Sequence, residues 1–165
     1  MDRLKNHGLT QNMVSAAFVL GSTSTYTTTV TTECVIDGVF ATTLGAQSNT
    51  ASPTTDAATG AAFVALGDNQ ATVLVWGITL AGAIALCQGS IENTEVGVTT
   101  TAGAFLKAPQ FPSLPDDFCP IAYNLVRTAP SASAFTPGTS SWTATGITCS
   151  TAKNLSVLPA RPRIV

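Results

Sequence analysis

Between residues 62 and 91, apolar and small side chains come in short runs separated by polar or glycyl breaks, a spacing that predicts strands rather than helices. Ala62-Phe63-Val64-Ala65-Leu66 is followed by the turn Gly67-Asp68-Asn69-Gln70, the run Ala71 to Thr79, a second turn at Leu80 to Ala83, and Ile84 to Ile91. A parallel crossover needs about a dozen residues or more, so these three segments are expected to form an antiparallel meander. The stretch from Ala71 to Cys87 approaches the length of a membrane span. Gly77, Thr79 and Gly82 interrupt it and no Lys or Arg flanks it, which favours two buried strands, and no membrane association is expected.

Towards the N-terminus, Tyr26 to Val30 and Cys34 to Phe40 are rich in β-branched and aromatic residues, and Asp37-Gly38 between Val35-Ile36 and Val39-Phe40 predicts a hairpin. Residues 1–20 pass from Asp2, Arg3, Lys5 and His7 to an apolar stretch ending at Leu20 and read as an extended arm; Met13 to Gly21 only imitates a short signal-peptide core. Positions 45–60 are small, polar and prolyl, the composition of a long loop. Helix is expected at most near the arm and around Asp56 to Ala62.

Beyond Val96 to Thr101, the prolines Pro109, Pro112, Pro115 and Pro120 lack N–H donors, which argues against a central strand there and for a linker or a rigid surface crossing. Ile121 to Val126 then predicts a strand, Pro137-Gly138 a turn, Trp142 to Thr148 short β or turn structure, and Leu158-Pro159-Ala160-Arg161-Pro162 an extended tail. The expected fold is all-β: an antiparallel β-sandwich or barrel-like body with an extended N-terminal arm and a proline-bounded C-terminal part. Its divisions are an arm over 1–20, a β body over 21–108, and a C-terminal β subdomain with the tail over 109–165.

Composition changes this picture in one respect. Charged residues make up 10% of the 165, against about 25% in an average globular protein, so Thr, Ser, Ala and Gly must face the solvent. The net charge is −2, and no Lys or Arg lies between Lys5 and Lys107. No basic stripe exists to neutralise phosphates, and nucleic-acid binding is not expected. A surface with so little charge is weakly protected against association and reads as one covered by other subunits.

Catalytic chemistry is hard to assemble. A Ser/His/Asp site would have to recruit His7, the single histidine, and no G-x-S-x-G elbow is present. The acids fall mostly at turns, and Asp116-Asp117 after Pro115 reads as a solvated turn or cap rather than a cation site. Phosphate-binding glycine motifs are absent. Cys34, Cys87, Cys119 and Cys149 lie far apart without a C-x-x-C pair, so zinc is not expected and buried free thiols are favoured over two disulfides. No enzyme activity, cofactor or metal is expected. Trp76 lies inside an apolar run and should be core. Trp142, flanked by Ser140, Ser141 and Thr143, reads instead as exposed or at a subunit interface, and the two tryptophans with Tyr26 and Tyr123 are a candidate sugar platform.

Several strings in order resemble small virion-associated structural proteins of tailed phages and prophages, of the capsid cement or head decoration type. They are Val35-Ile36-Asp37-Gly38-Val39, then residues 53–63 from Pro53-Thr54-Thr55-Asp56 to Phe63, then the apolar meander. Pro120-Ile121-Ala122-Tyr123, Phe135-Thr136-Pro137-Gly138-Thr139, Thr145-Gly146-Ile147 and Leu158-Pro159-Ala160-Arg161-Pro162 follow. The resemblance implies a β-rich subunit on the capsid exterior, assembled in the host cytoplasm and trimeric, with its own copies and the major capsid protein as partners and no catalytic residues to carry over. The expected contact residues are Met1, Arg3 and Lys5 in the arm, Trp142, and Arg161 and Arg163 in the tail. Two other readings compete: a tail or fibre component binding host glycan through Trp142, and a secreted adhesin-like or pilin-like subunit with cleavage near Gly21 and oxidised cysteines.

Overall fold

The apolar run from Ala71 to Thr79 becomes, with Gln70, a central ten-residue strand among the twelve strands of the described residues. A computed structural model describes residues 10–163, and within them the side chains of all but residues 39–42. The strands are β1 (Gln11–Asn12), β2 (Phe18–Leu20), β3 (Thr25–Thr28), β4 (Thr32–Ile36), β5 (Val39–Leu44), β6 (Gln47–Ala51), β7 (Gln70–Thr79), β8 (Ile84–Gln88), β9 (Glu92–Asn93), β10 (Phe118–Thr128), β11 (Ile147–Cys149) and β12 (Lys153–Asn154). They form three antiparallel sheets: β1-β4-β5, β2-β3-β6, and a large sheet running β11-β10-β7-β8, with β12 also beside β10 and β9 beside β7. No sheet closes into a barrel, and the described residues contain no α-helix. The fold is all-β with a sandwich-like body.

Alternation along β7 explains why its sequence is apolar throughout rather than at every second residue: both faces of the strand are covered. Leu74, Trp76 and Ile78 join Leu86, Cys119, Ile121 and Val126 on one face, where they pack with Phe18 and Tyr26 of the β2-β3-β6 sheet and Cys34 and Ile36 of the β1-β4-β5 sheet. Trp76 centres this core, with ring centroids 4.7 Å from Phe18, 5.7 Å from Tyr26 and 5.9 Å from Trp142. On the opposite face Val73, Val75, Ala85, Cys87, Phe118, Tyr123 and Leu125 are covered by irregular chain, through Phe105, Phe111, Leu114, Leu155 and Leu158. The proline-rich stretch is thus a surface crossing laid over the large sheet.

Local chemistry accounts for the joints. Asp37 and Gly38 both take positive φ, 50° and 76°, in a two-residue turn that sets Ile36 opposite Val39, the geometry that Asp-Gly favours. The chain reverses again between Thr79 and Ala83, as the sequence predicts, with the Thr79 N–H donating to the Ala83 carbonyl. Asn154 clasps the small sheet to the large one: its Oδ1 accepts from the Phe18 N–H at 2.7 Å and its Nδ2 donates to the Phe18 carbonyl at 3.2 Å.

Five expectations need correction. Ala62 to Leu66 is not a strand of the meander; Leu66 exchanges backbone hydrogen bonds with Phe135. The place beside β7 goes to β10, whose register from Phe118↔Thr79 to Arg127↔Ala71 offers more ladder bonds than a five-residue segment can. Pro120 does lie inside a central strand. The register shifts between Pro120 and Ala122, and β12 and β11 pair with β10 only from Ala122 onward, so no neighbour needs the missing N–H. β10 itself is a middle strand of the large sheet. Residues 11–12 and 18–20, expected in an extended arm, are strands β1 and β2; residues 1–9 lie outside the described residues. Within the expected 45–60 loop, Gln47–Ala51 forms β6 beside β3. Around Asp56 the chain makes a tight turn in place of a helix, the carboxylate accepting from the Ala58 N–H and the Thr59 hydroxyl. No helix of the described residues is long and apolar enough to cross a membrane.

Candidate functional site

Where the C-terminal tail crosses the sheet, it leaves a groove that no element fills. β12 sets Lys153 opposite Tyr123 of β10. The Leu155 N–H then donates to the Ile121 carbonyl, and the Asn12 N–H and Asn12 Nδ2 donate to the Ser156 and Leu155 carbonyls, pinning the start of the tail. Its far end returns to the same strand, where the Arg163 N–H donates to the Tyr123 hydroxyl at 3.0 Å. Between these two anchors lies a groove of about 370 Å³ lined by Tyr123, Leu155, Val157, Pro159, Lys153 and Arg163. Its lining mixes apolar Leu155, Val157 and Pro159 with polar Asn154 and Ser156 and includes two cationic residues.

The charges of this chain are segregated. Residues 118–165 contain Arg127, Lys153, Arg161 and Arg163 and no Asp or Glu, whereas residues 1–117 contain all nine acids and three cations. Arg127 is engaged internally: its Nη1 donates to the Gly103 carbonyl at 2.8 Å and its guanidinium lies 5.5 Å from the centre of the Phe105 ring. That anchors a hairpin-like excursion in which the Glu95 N–H donates to the Ala104 carbonyl and Val98 and Thr101 exchange bonds at the tip. Val96 and Val98 on it are 81% and 76% exposed, and Leu106 at its base is exposed as well.

No family model, curated protein or solved structure matches the chain. What the site does must therefore be argued from its own residues.

Of the residues expected to make contacts, Met1, Arg3 and Lys5 lie outside the described residues. Arg161 and Arg163 are exposed, and Arg163 lines the groove. Trp142 is not exposed. It is 3% accessible, its Nε1 donates to the Thr25 carbonyl at 3.1 Å, and its ring lies against Trp76 and Phe135. The neighbouring hydroxyls that suggested solvent face the protein instead: Ser141 and Thr143 both donate to the Ser22 carbonyl, at 2.8 Å and 2.6 Å. Tyr26, Trp76 and Tyr123 are buried too, so neither tryptophan and neither tyrosine offers a stacking face. Sequence reasoning missed Lys153 and singled out Tyr123 only as part of a sugar platform. The absence of any acid after Asp117 is the signal that points to this end of the chain.

All four cysteines are free thiols. Burial pushes Cys87 and Cys149 up to about 12, with the Asp56 carboxylate adding to the effect at Cys87. Cys34 and Cys119 meet in the main core, and the hydrogen bond Cys119 makes to Cys34, followed by burial, holds Cys119 far above the usual thiol range. The same hydrogen bond lowers Cys34, whereas the raised thiols of Cys87, Cys119 and Cys149 are poor nucleophiles. No group of three or more His, Cys, Asp or Glu side chains converges among the described residues.

Proposed function

We propose that this chain is a non-catalytic structural subunit of a tailed-phage particle, a capsid cement or decoration protein that sits on the outside of the shell and binds copies of itself and the major capsid protein. The observation that carries this reading is the anchored 95–106 excursion with Val96, Val98 and Leu106 exposed, on a molecule with 10% charged residues. Isolated apolar side chains on a surface are ordinary, but three on one anchored excursion make a contact element. Burying a valine or leucine fully is worth roughly 1.5–3 kcal/mol, and a subunit that engages several sites at once multiplies the gain. The ordered resemblance from Val35 to Pro162 directs this association towards a phage particle.

Cementing needs shape and buried area rather than reactive groups, in keeping with thiols that burial holds protonated. The glycan-binding alternative finds no support at Trp142, whose ring is covered. The reading is tested with particles that lack this chain. Adding the purified protein should make it sediment with them and raise the temperature at which they release their genome. Particles that neither retain it nor gain heat resistance would remove the proposal.

A further inference from the structure

The groove between β12 and the returning tail has the chemistry of a carboxylate receptor, and the chain itself carries a matching ligand. We propose that the Tyr123–Lys153–Arg163 groove seats the Asp116-Asp117 turn of a second copy, so that subunits join head to tail. This deepens the assembly reading above by naming the surfaces through which copies meet.

Three observations lead there. First, the charges are complementary: two cations in the groove face two adjacent carboxylates on the turn, in a chain whose acids all precede its last four cations. Asp116 and Asp117 are both exposed and are the single pair of neighbouring acids among the described residues. Secondly, the turn is held ready. The Leu80 N–H donates to the Asp117 carbonyl and the Phe118 N–H to that of Pro115, so docking orders little new chain.

Thirdly, one copy cannot satisfy itself. The turn ends where β10 begins, and Lys153 sits opposite Tyr123, six residues further along that strand; at about 3.3 Å per residue this sets the backbones of Asp117 and Lys153 about 20 Å apart. Two complementary surfaces at different places on one subunit make a heterologous contact, which closes into a ring when the rotation permits. Rim charges of this kind set register and association rate more than they set affinity, and salt screens them.

The test measures the mass of the full-length chain in solution by light scattering and sedimentation equilibrium, at low and high salt. The wild-type chain should be an oligomer that weakens as salt rises. Lys153→Glu with Arg163→Glu should weaken self-association by roughly tenfold or more, and Asp116→Lys with Asp117→Lys should do the same. The chain carrying all four reversals should regain the oligomer. These four residues have exposed or half-exposed side chains, and unchanged circular dichroism and melting temperature will show that each variant folds.

A wild-type chain that is monomeric at every concentration overturns the proposal and assigns the groove to a partner of another sequence. Pairs of reversals that leave the mass unchanged, or four that fail to restore it, overturn it equally. The same variants separate this inference from the reading it rests on. A chain that assembles as described and ignores phage particles sinks the cement role alone, whereas one that binds particles as a monomer sinks the head-to-tail contact alone.

Discussion

Trp76 and Asn124 give the strictest energetic test of the interior. The Trp76 Nε1 donates to Asn124 Oδ1 at 2.8 Å between β7 and β10, while Asn124 Nδ2, fully buried, has no partner. A buried polar group without a partner costs about 1–3 kcal/mol. Trp76→Phe strands the Asn124 carbonyl as well and opens a cavity, so it should destabilise by about 3 kcal/mol or more. Asn124→Leu behaves differently, because it strands the indole N–H yet removes the orphaned Nδ2. Those two effects are of similar size, and the net change should stay near 1 kcal/mol. In the double variant no polar end remains unpaired. It should therefore be more stable than Trp76→Phe by about 2 kcal/mol or more, a gain in urea midpoint on the order of 1 M. Far-UV circular dichroism is the suitable probe, since one of the two tryptophans is lost. A double variant no more stable than Trp76→Phe would refute the assignment of an orphaned amide in the core.

Two further predictions concern backbone and thiols. Gly138 has φ +73°, and an added Cβ would collide with the Pro53 carbonyl, whereas Gly45 has no heavy atom within 4 Å of that position. Gly138→Ala should therefore lower the melting temperature by several degrees and Gly45→Ala should leave it within about a degree; equal effects would contradict the packing of residues 53–54 against the 137–138 turn. Cys87 and Cys149 titrate near 12 in the folded chain against 9.0 as free thiols. Their raised values contribute stability that is complete below pH 9 and lost as pH rises from 9 towards 12, with buried Tyr26, also raised, adding to the loss. The urea midpoint under reducing conditions should be level from pH 7 to 8.5 and fall above pH 9; a level profile to pH 11 would show that these thiols are open to water.

Much of the fold was legible because some residues allow few conformations or few environments. Asp37-Gly38 specifies a tight hairpin through the φ values it tolerates, and the apolar run through Trp76 specifies a strand covered on both faces. The misreadings share a different cause. Gln47, Ser48, Asn49 and Thr50 of β6 carry no apolar signal and so read as loop, and the pairing with β3 is decided by backbone bonds that any of those residues can make. The missing N–H of Pro120 argues against a central strand, and that requirement is met by a bulge and by neighbours that begin at Ala122. The hydroxyls beside Trp142 point to an exposed or interface ring, and they satisfy the Ser22 carbonyl instead.

The groove follows the same logic. Lys153 and Tyr123 stand thirty residues apart and become neighbours only because β12 pairs with β10, a register that local pattern does not encode. Charge order along the chain is different, because it survives folding whatever the pairing. A segment with four cations and no acid must present an uncompensated positive surface unless the acidic part folds back over it. Here β10 leads the chain away from Asp117, and Arg127 is the one C-terminal cation that packing turns inward to the Gly103 carbonyl and the Phe105 ring. Arg161 and Arg163 are left exposed and Lys153 half-exposed, and this is the surface that the head-to-tail proposal gives to the acids of a second copy.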